Sequence, residues 1–445
     1  MKEYYQKRYL CKDWDTLSER VVKNILNNEE NNEPYLEIIK HKAFIPAGNT
    51  LTTGVKPLTP NCSILGTLTE ENFDTMLELS KFLWNQSTGI GFDLSGLKDP
   101  VEKLRILSIA NDLIDLKHRP KRGNMAVLNI NHPQIKEFIC CKTTTTTDLY
   151  NFNISVTIDE EVLDENIFNL IAKQAWMTGD PGLIFLKNAK TYGPDFAEEL
   201  GQITTCVPCG EQFMHTFETC NLGSINLNSN YLMEKGSLDF QKLSKTIEIS
   251  IEFMDKIIDK LEFPDQYMKK VSLQTRRIGL GVMGWADYLQ RIGLKYDSSE
   301  ALNLAEMLSK FITDCSLKKS ASLAEKYGCH KYSKIYRNIS LTCIAPTGGI
   351  TGLTENKGYG IEPFFNEALK FNYKVHINMQ AAWQCGIQNA VSKTINLPSN
   401  TTVEDVMNAF KYAMKMKVKG ITIYRDGSKL FQPISLDMLC NECLE

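Results

Sequence analysis

The 445-residue sequence has no apolar run near the roughly 18 residues that a bilayer-crossing helix needs, which excludes a helical membrane protein. It also has almost no net charge: 50 Lys and Arg face 53 Asp and Glu, leaving a formal −3. That balance excludes a basic nucleic-acid footprint and an acidic solvating tail as its theme. The first residues mix charged and aromatic side chains and lack the apolar core of a secretory signal. No internal repeat occurs, and no linker rich in Pro, Gly or Ser, so one large domain is expected. With 43% hydrophobic and 23% charged residues, the chain is too apolar for disorder and has the balance of a soluble globular protein.

Cysteine is plentiful by contrast. The count is 13, an odd number without a secretion signal, which predicts reduced thiols in the cytoplasm and no disulfide framework. Two C-x-x-C pairs stand out, Cys206/Cys209 and Cys440/Cys443. Reduced compartments keep such pairs for thiol exchange or for metal. The spacing permits the two pairs to form one four-thiolate zinc site. A thioredoxin-like reading of Cys-Val-Pro-Cys lacks the small βαβ context it requires.

Hydrophobic periodicity predicts helices in 1–43, 70–85, 101–116, 159–178, 238–262, 299–327 and 403–416. Strand-like runs fall at 125–130, 152–158, 183–186, 278–282, 340–344 and 420–424. Their alternation predicts an α/β architecture with parallel strands. The stretch from Phe44 reads as loop-rich, 87–91 as a turn, and the threonine run 143–147 as a strand edge or loop.

Four segments carry chemistry. In Cys206-Val-Pro-Cys-Gly-Glu-Gln212, Cys209 and Glu211 lie two apart, and an extended loop would aim both side chains the same way. A thiol and a carboxylate facing one substrate can share radical or nucleophilic work and proton transfer. Ala345-Pro-Thr-Gly-Gly-Ile-Thr351 follows an apolar run, and such a glycine-rich turn can offer backbone N–H groups to phosphate, although most are only turns. Cys62, in Asn61-Cys62-Ser63, is either a packed small hydrophobe or a redox group. Cys440 and Cys443 suit a mobile redox arm or a metal clip.

A longer series of motifs carries a resemblance. In chain order it runs Phe44-Ile-Pro-Ala-Gly-Asn-Thr50 with Asn61-Cys62, Lys121-Arg-Gly-Asn-Met-Ala-Val127 with His132-Pro133, and Asn151-Phe-Asn-Ile-Ser-Val156. Thr178-Gly-Asp-Pro-Gly-Leu-Ile-Phe185, Pro208-Cys-Gly-Glu211 and Cys220-Asn-Leu-Gly-Ser-Ile-Asn-Leu227 follow. Then come Arg276-Arg-Ile-Gly-Leu-Gly-Val-Met-Gly284, Ala345-Pro-Thr-Gly348, Gly360-Ile-Glu-Pro363 and Met379-Gln-Ala-Ala382. Asn389-Ala-Val-Ser-Lys-Thr-Ile-Asn-Leu-Pro398 and Lys419-Gly-Ile-Thr-Ile-Tyr-Arg-Asp-Gly427 complete it. The chain resembles the catalytic subunit of ribonucleotide reductase, in its adenosylcobalamin-dependent (class II) branch.

The resemblance implies a ten-stranded α/β barrel of two parallel five-stranded halves, with a central finger loop carrying the radical cysteine. It implies an N-terminal helical segment at 1–43 without an ATP cone, the barrel at 44–430 and a flexible redox tail at 431–445. Cys209 would become the thiyl radical and Glu211 would take the 3′-OH proton. Cys62 and Cys220 would form the reducing dithiol, and Cys440 and Cys443 would re-reduce it. Ser63, Val207, Ala345, Pro346, Thr347, Gly348 and Gly349 would contact the ribonucleotide. The implied cofactor is adenosylcobalamin, with no metal site. The implied partners are a ribonucleotide di- or triphosphate and a thioredoxin or glutaredoxin-type reductant, in a cytoplasmic monomer or homodimer. Deoxyribonucleotide supply for DNA synthesis would be the role, without direct contact with nucleic acid.

The branch is inferred by absence: no adjacent tyrosine pair for radical relay stands in the C-terminal part, and no glycyl-radical motif ends the chain. A member served by a separate radical-generating subunit, and a nucleotide-binding homologue without turnover, are the alternatives. The second is motivated by Val207, where the family has asparagine, and by a short 93–120 segment where the family has a Gly/Ser-rich substrate loop. Cys206 beside the radical position is also unusual, because a Cys206–Cys209 disulfide would block radical formation.

Overall fold

The structure, a computed structural model, describes residues 5, 8–26, 31–114, 123–143, 148–159, 164–191 and 196–428. Its strands are β1 (Phe44–Pro46), β2 (Cys62–Thr69), β3 (Gly89–Gly96), β4 (Asn124–Asn129), β5 (Phe152–Ile158), β6 (Gly182–Phe185) and β7 (Thr219–Asn226). A small hairpin, β8 (Met233–Glu234) and β9 (Ser237–Leu238), precedes β10 (Ile278–Met283), β11 (Thr394–Leu397) and β12 (Gly420–Arg425). The helices that cover them include α1 (Trp14–Ile25), α2 (Glu33–Lys40), α3 (Phe73–Asn85), α4 (Pro100–Asp112) and α5 (Glu165–Thr178). Later in the chain come α6 (Phe240–Lys260), α7 (Ser299–Tyr327), α8 (Tyr373–Gln384) and α9 (Val403–Lys415).

Local chemistry sets these boundaries. Asp13 accepts from Thr16 N to cap α1, Ser298 accepts from Ala301 N to cap α7, and Thr402 with Asp405 forms a capping box on α9. Along α6, Leu243, Ile247, Ile251, Met254 and Ile258 recur at helical spacing and are all buried. Asp239 caps the same helix by accepting from Gln241 N and Lys242 N.

The fold is α/β around one large mixed sheet. Every strand except the hairpin joins a ten-stranded sheet. β2 to β6 run parallel in sequence order. At one side β12 pairs antiparallel with β6, and β11 lies parallel to β12. At the other β7 pairs antiparallel with β2, and β10 lies parallel to β7. Two isolated parallel bridges, Leu280 to Thr342 and Ile344 to Val391, continue from β10 toward the segment before β11. β4 and β6 are almost wholly buried, as strands covered on both faces must be.

Two large apolar clusters flank the sheet. One joins Leu17, Ile38, Phe44, Ile225, Ile251, Val282 and Ile312. The other joins Phe92, Leu104, Leu128, Val156, Phe168 and Phe410. Two smaller clusters form around the segment 206–214: Cys206 and Phe213 pack with Met125, Val127 and Ile184, while Val207 and Met214 pack with Ile64, Cys220 and Cys343.

Most predicted elements are present, with differences that have causes. The expected turn at 87–91 opens strand β3, and the loop-rich stretch from Phe44 holds β1 and leads into β2. The expected strand at 340–344 is reduced to the two bridges. Residues 144–147 and the whole tail, including Cys440 and Cys443, lie outside the described residues.

Candidate active site

The segment 206–213 is a tight hairpin-like turn. Cys206 bridges antiparallel to Phe213, Val207 N donates to Gln212 O at 3.0 Å, and Gly210 N donates to Val207 O at 2.9 Å. This turn corrects the extended-loop expectation for Cys209 and Glu211. Cys209 is exposed near its tip, whereas Glu211 is 1% exposed. The base of the turn is clamped by Asn389, whose Oδ1 accepts from Phe213 N at 2.7 Å and whose Nδ2 donates to Gln212 Oε1 at 2.8 Å. Ala390 N donates to Glu211 O at 3.1 Å. Against β3 the fit is close: a Cβ on Gly91 would lie 2.2 Å from the Cys206 carbonyl oxygen, so only glycine lets the segment pass.

One side of the turn holds the thiols. Cys62 and Cys220 are directly opposed across the β2–β7 pairing. A hydrogen bond from Cys62 pulls the Cys220 thiol down, but burial and the nearby Cys343 and Glu211 leave it raised. A Cβ on Gly89 would sit 3.1 Å from Pro208 Cγ and 3.3 Å from Cys62 Sγ, so the tip of the turn and Cys62 flank one point of β3. Burial pushes the Glu211 carboxyl up to about 7, and its Oε2 is buried without a hydrogen-bond partner. Val207 is fully buried in the apolar cluster with Cys220 and Cys343. At this position the side chain serves apolar packing.

Cys209 also lines a cleft of about 200 Å³. Cys206, Pro346, Gln380, Gln384, Ser392 and Lys419 border it. Gln380 is 3% exposed; its Nε2 donates to Gly420 O at 2.9 Å, while its Oε1 has no partner. Burial lowers Lys419 to about 7, and its ammonium donates to Gln388 O at 2.9 Å and to Asn389 O. Cys206 is fully buried, and burial raises its thiol well above the usual range.

The remaining predicted residues divide. Ala345 packs against the cluster of Val207, Cys220 and Cys343, and Pro346 reaches the cleft. Thr347 is buried, its hydroxyl accepting from Gly360 N at 2.8 Å, whereas Gly348 is exposed. Ser63 is fully buried and its hydroxyl donates to Glu218 O at 3.2 Å. Among the described residues no group of three or more His, Cys, Asp or Glu side chains is placed to hold a metal ion.

Sequence reasoning missed a support beneath the thiols. Arg277 and Glu218 form a fully buried bidentate ion pair, Nε to Oε1 at 3.0 Å and Nη2 to Oε2 at 2.8 Å. Cys343, Gln380 and Lys419 were given no role of their own, although Gln380 and Lys419 stand inside two of the motifs that carry the resemblance. For Cys343 the available signal is its place two residues before the motif at 345.

Comparison with known proteins meets this geometry. The family pattern described as "Ribonucleotide reductase, barrel domain" matches residues 157–335 and 361–424, more than half of the chain. The chain belongs to the ribonucleotide reductase family. It is 32% identical to the vitamin B12-dependent ribonucleoside-diphosphate reductase of Thermoplasma acidophilum, over 90% of this chain and 66% of that protein. Identity to the vitamin B12-dependent ribonucleoside-diphosphate reductase of Mycobacterium tuberculosis is 31%, over 76% of this chain and 61% of that protein. The chain thus spans just under two thirds of these relatives. In three dimensions it is similar to the class Id ribonucleotide reductase alpha subunit of Actinobacillus ureae, with a TM-score of 0.79, 17% identity and 96% of each chain covered. That likeness concerns the fold.

Proposed function

We propose that this member of the ribonucleotide reductase family reduces ribonucleotides to 2′-deoxyribonucleotides by thiyl-radical chemistry at Cys209. The observation that carries the reading is the exposed Cys209, which lines a cleft, on a turn that holds the buried Glu211 and packs beside the half-buried Cys62 and the buried Cys220. The antiparallel β6–β12 and β2–β7 seams, with the two bridges beyond β10, support a ten-stranded barrel of two parallel halves. In that arrangement the segment 206–213 is the central finger. We read 44–430 as the barrel, 1–43 as a helical covering and 431–445 as the redox tail.

In this account the Cys209 thiyl takes the 3′ hydrogen atom of the ribose and later returns it. The Glu211 carboxylate accepts the 3′-OH proton. Cys62 and Cys220 protonate the departing 2′-OH as water and supply two electrons, ending as a disulfide. Cys440 and Cys443 reduce that disulfide by exchange, and an external dithiol reduces them in turn. The segment 345–349 lines the substrate side, and Val207, fully buried, packs in the cluster that Ala345 rests on. Ser63 supports it through β2.

The residues around the cleft fit one end of adenosylcobalamin. About 200 Å³ is below the ~300–1,000 Å³ of full ligand pockets, so a nucleoside-sized portion fits and a corrin ring does not. Gln380 offers an unfilled acceptor to a ligand N–H, and Gln384, Ser392 and Thr422 add polar groups. When bound, the cofactor supplies the hydrogen-atom abstraction that no closed-shell side chain performs. The test is product formation from each of the four ribonucleotides with dithiothreitol, with and without adenosylcobalamin. Product only with the cofactor supports the reading. Product dependent on a separate protein subunit instead, or none at all, contradicts it.

A further inference from the structure

The glycine loop at 345–351 contains no charged residue of its own. The chain delivers a cation to it from far away in sequence. Tyr9, 1% exposed, donates from its hydroxyl to Gly349 O at 3.1 Å, tying the N-terminal arm to the loop. The arm is itself fastened: Arg20 donates through Nη2 to Tyr9 O at 2.8 Å and to Leu51 O at 2.9 Å, and through Nη1 to Leu10 O at 3.2 Å. This anchoring sets Arg8 directly on Gly349. A Cβ at Gly349 would lie 2.5 Å from Arg8 Nη2, so the glycine is what admits the guanidinium. Next to it, a Cβ at Gly348 would meet nothing within 4 Å, so the loop opens there. Pro346, two residues earlier, lines the cleft with Cys209.

We propose that Arg8 is a substrate-binding residue, the positive charge that reads the phosphate chain of the nucleotide at the 345–349 loop. This rests on the proposed ribonucleotide reading and names the residue that distinguishes a nucleotide from a nucleoside there. The loop is neutral, and its two hydroxyls are engaged within it, Thr351 donating to Thr347 O at 3.0 Å and the Thr347 and Thr351 hydroxyls bonding each other at 3.1 Å, so what it offers a phosphate is backbone N–H groups. A di- or triphosphate carries several negative charges, and a guanidinium matches them with two parallel donors. Because the arm is bound to the loop by Tyr9 rather than by Arg8 alone, replacing Arg8 should leave the arm in place.

The test is equilibrium binding of CDP and of cytidine to the full chain and to its R8A and R8Q variants. The loss of a charge-assisted contact predicts that CDP binds about tenfold or more weakly to both variants. Cytidine affinity should be unchanged, and CDP affinity should depend less on salt than in the parent. CDP affinity unaltered in both variants would overturn the Arg8 assignment while leaving the ribonucleotide reading intact. Equal losses for CDP and cytidine would also overturn it, as a general structural effect. A parent protein that binds neither ligand would overturn both the assignment and the reading beneath it.

Discussion

At the scale of single residues the account turns on Cys209 and Glu211. Cys209→Ala should abolish turnover while leaving nucleotide binding within about threefold, checked by product assay and equilibrium binding. A residual rate above a hundredth of the parent would count against its role. Glu211 gives a pH signature. Burial holds its carboxyl at about 7 in the folded chain, against 4.5 ordinarily, and a base must be ionised to act. Turnover should therefore rise with pH through a limb near 7, and Glu211→Gln should lose that limb along with most of the rate. The same shift has a stability sign. The folded state holds this proton up to about pH 7 and the unfolded chain only to about 4.5, so Glu211 lowers stability as pH rises between those values and adds no further change above them. Urea titrations at pH 5 and 7.5 should show that difference shrink in Glu211→Gln. These two residues were legible in the sequence because the motif Pro208-Cys-Gly-Glu211 is compact. Their opposite exposure was not, because it depends on the turn closed by the Gly210 to Val207 hydrogen bond.

At the scale of elements, what matters is how closely β3 and the 206–213 turn approach. Gly91→Ala would drive a methyl to within 2.2 Å of the Cys206 carbonyl, a backbone atom that cannot swing aside. A destabilisation of about 1–3 kcal/mol is expected from the overpacking, read as a lowered urea midpoint, with turnover falling further than stability alone accounts for. An unchanged midpoint and rate would mean that the turn is not held there. The same residue shows why part of the fold was hidden. β3 reads Gly-Ile-Gly-Phe-Asp-Leu-Ser-Gly, and its glycines look like a turn, yet they serve a neighbouring backbone and a thiol. The long helices α6 and α7 were legible because their apolar spacing is regular over many turns. The segment 340–344 looked like a strand, but only Thr342 and Ile344 form bridges. The Arg277–Glu218 pair was invisible because its partners come from segments 59 residues apart.

At the scale of the whole molecule, the proposal requires a radical cysteine, a reducing dithiol and a pair of tail thiols on one chain to work in sequence. Cys440→Ser should leave the first turnover intact and cut later turnovers sharply with thioredoxin, less so with a small dithiol. Equal loss with both reductants would argue against the tail as a shuttle. The α/β class was legible from the alternation of strand and helix patterns, and the family from the order of motifs, whereas the arm-to-loop contact of Tyr9 with Gly349 spans 340 positions and has no local signature. The most direct measurement is a single turnover by pre-reduced protein with adenosylcobalamin and CDP and no external dithiol. The account predicts roughly one dCDP per chain through the local dithiol, more only as far as the tail's own thiols are spent, and a Cys62–Cys220 disulfide detected by peptide mass spectrometry when the tail cysteines are replaced. Bound CDP with no dCDP, or product formed without oxidation of Cys62 and Cys220, would contradict it.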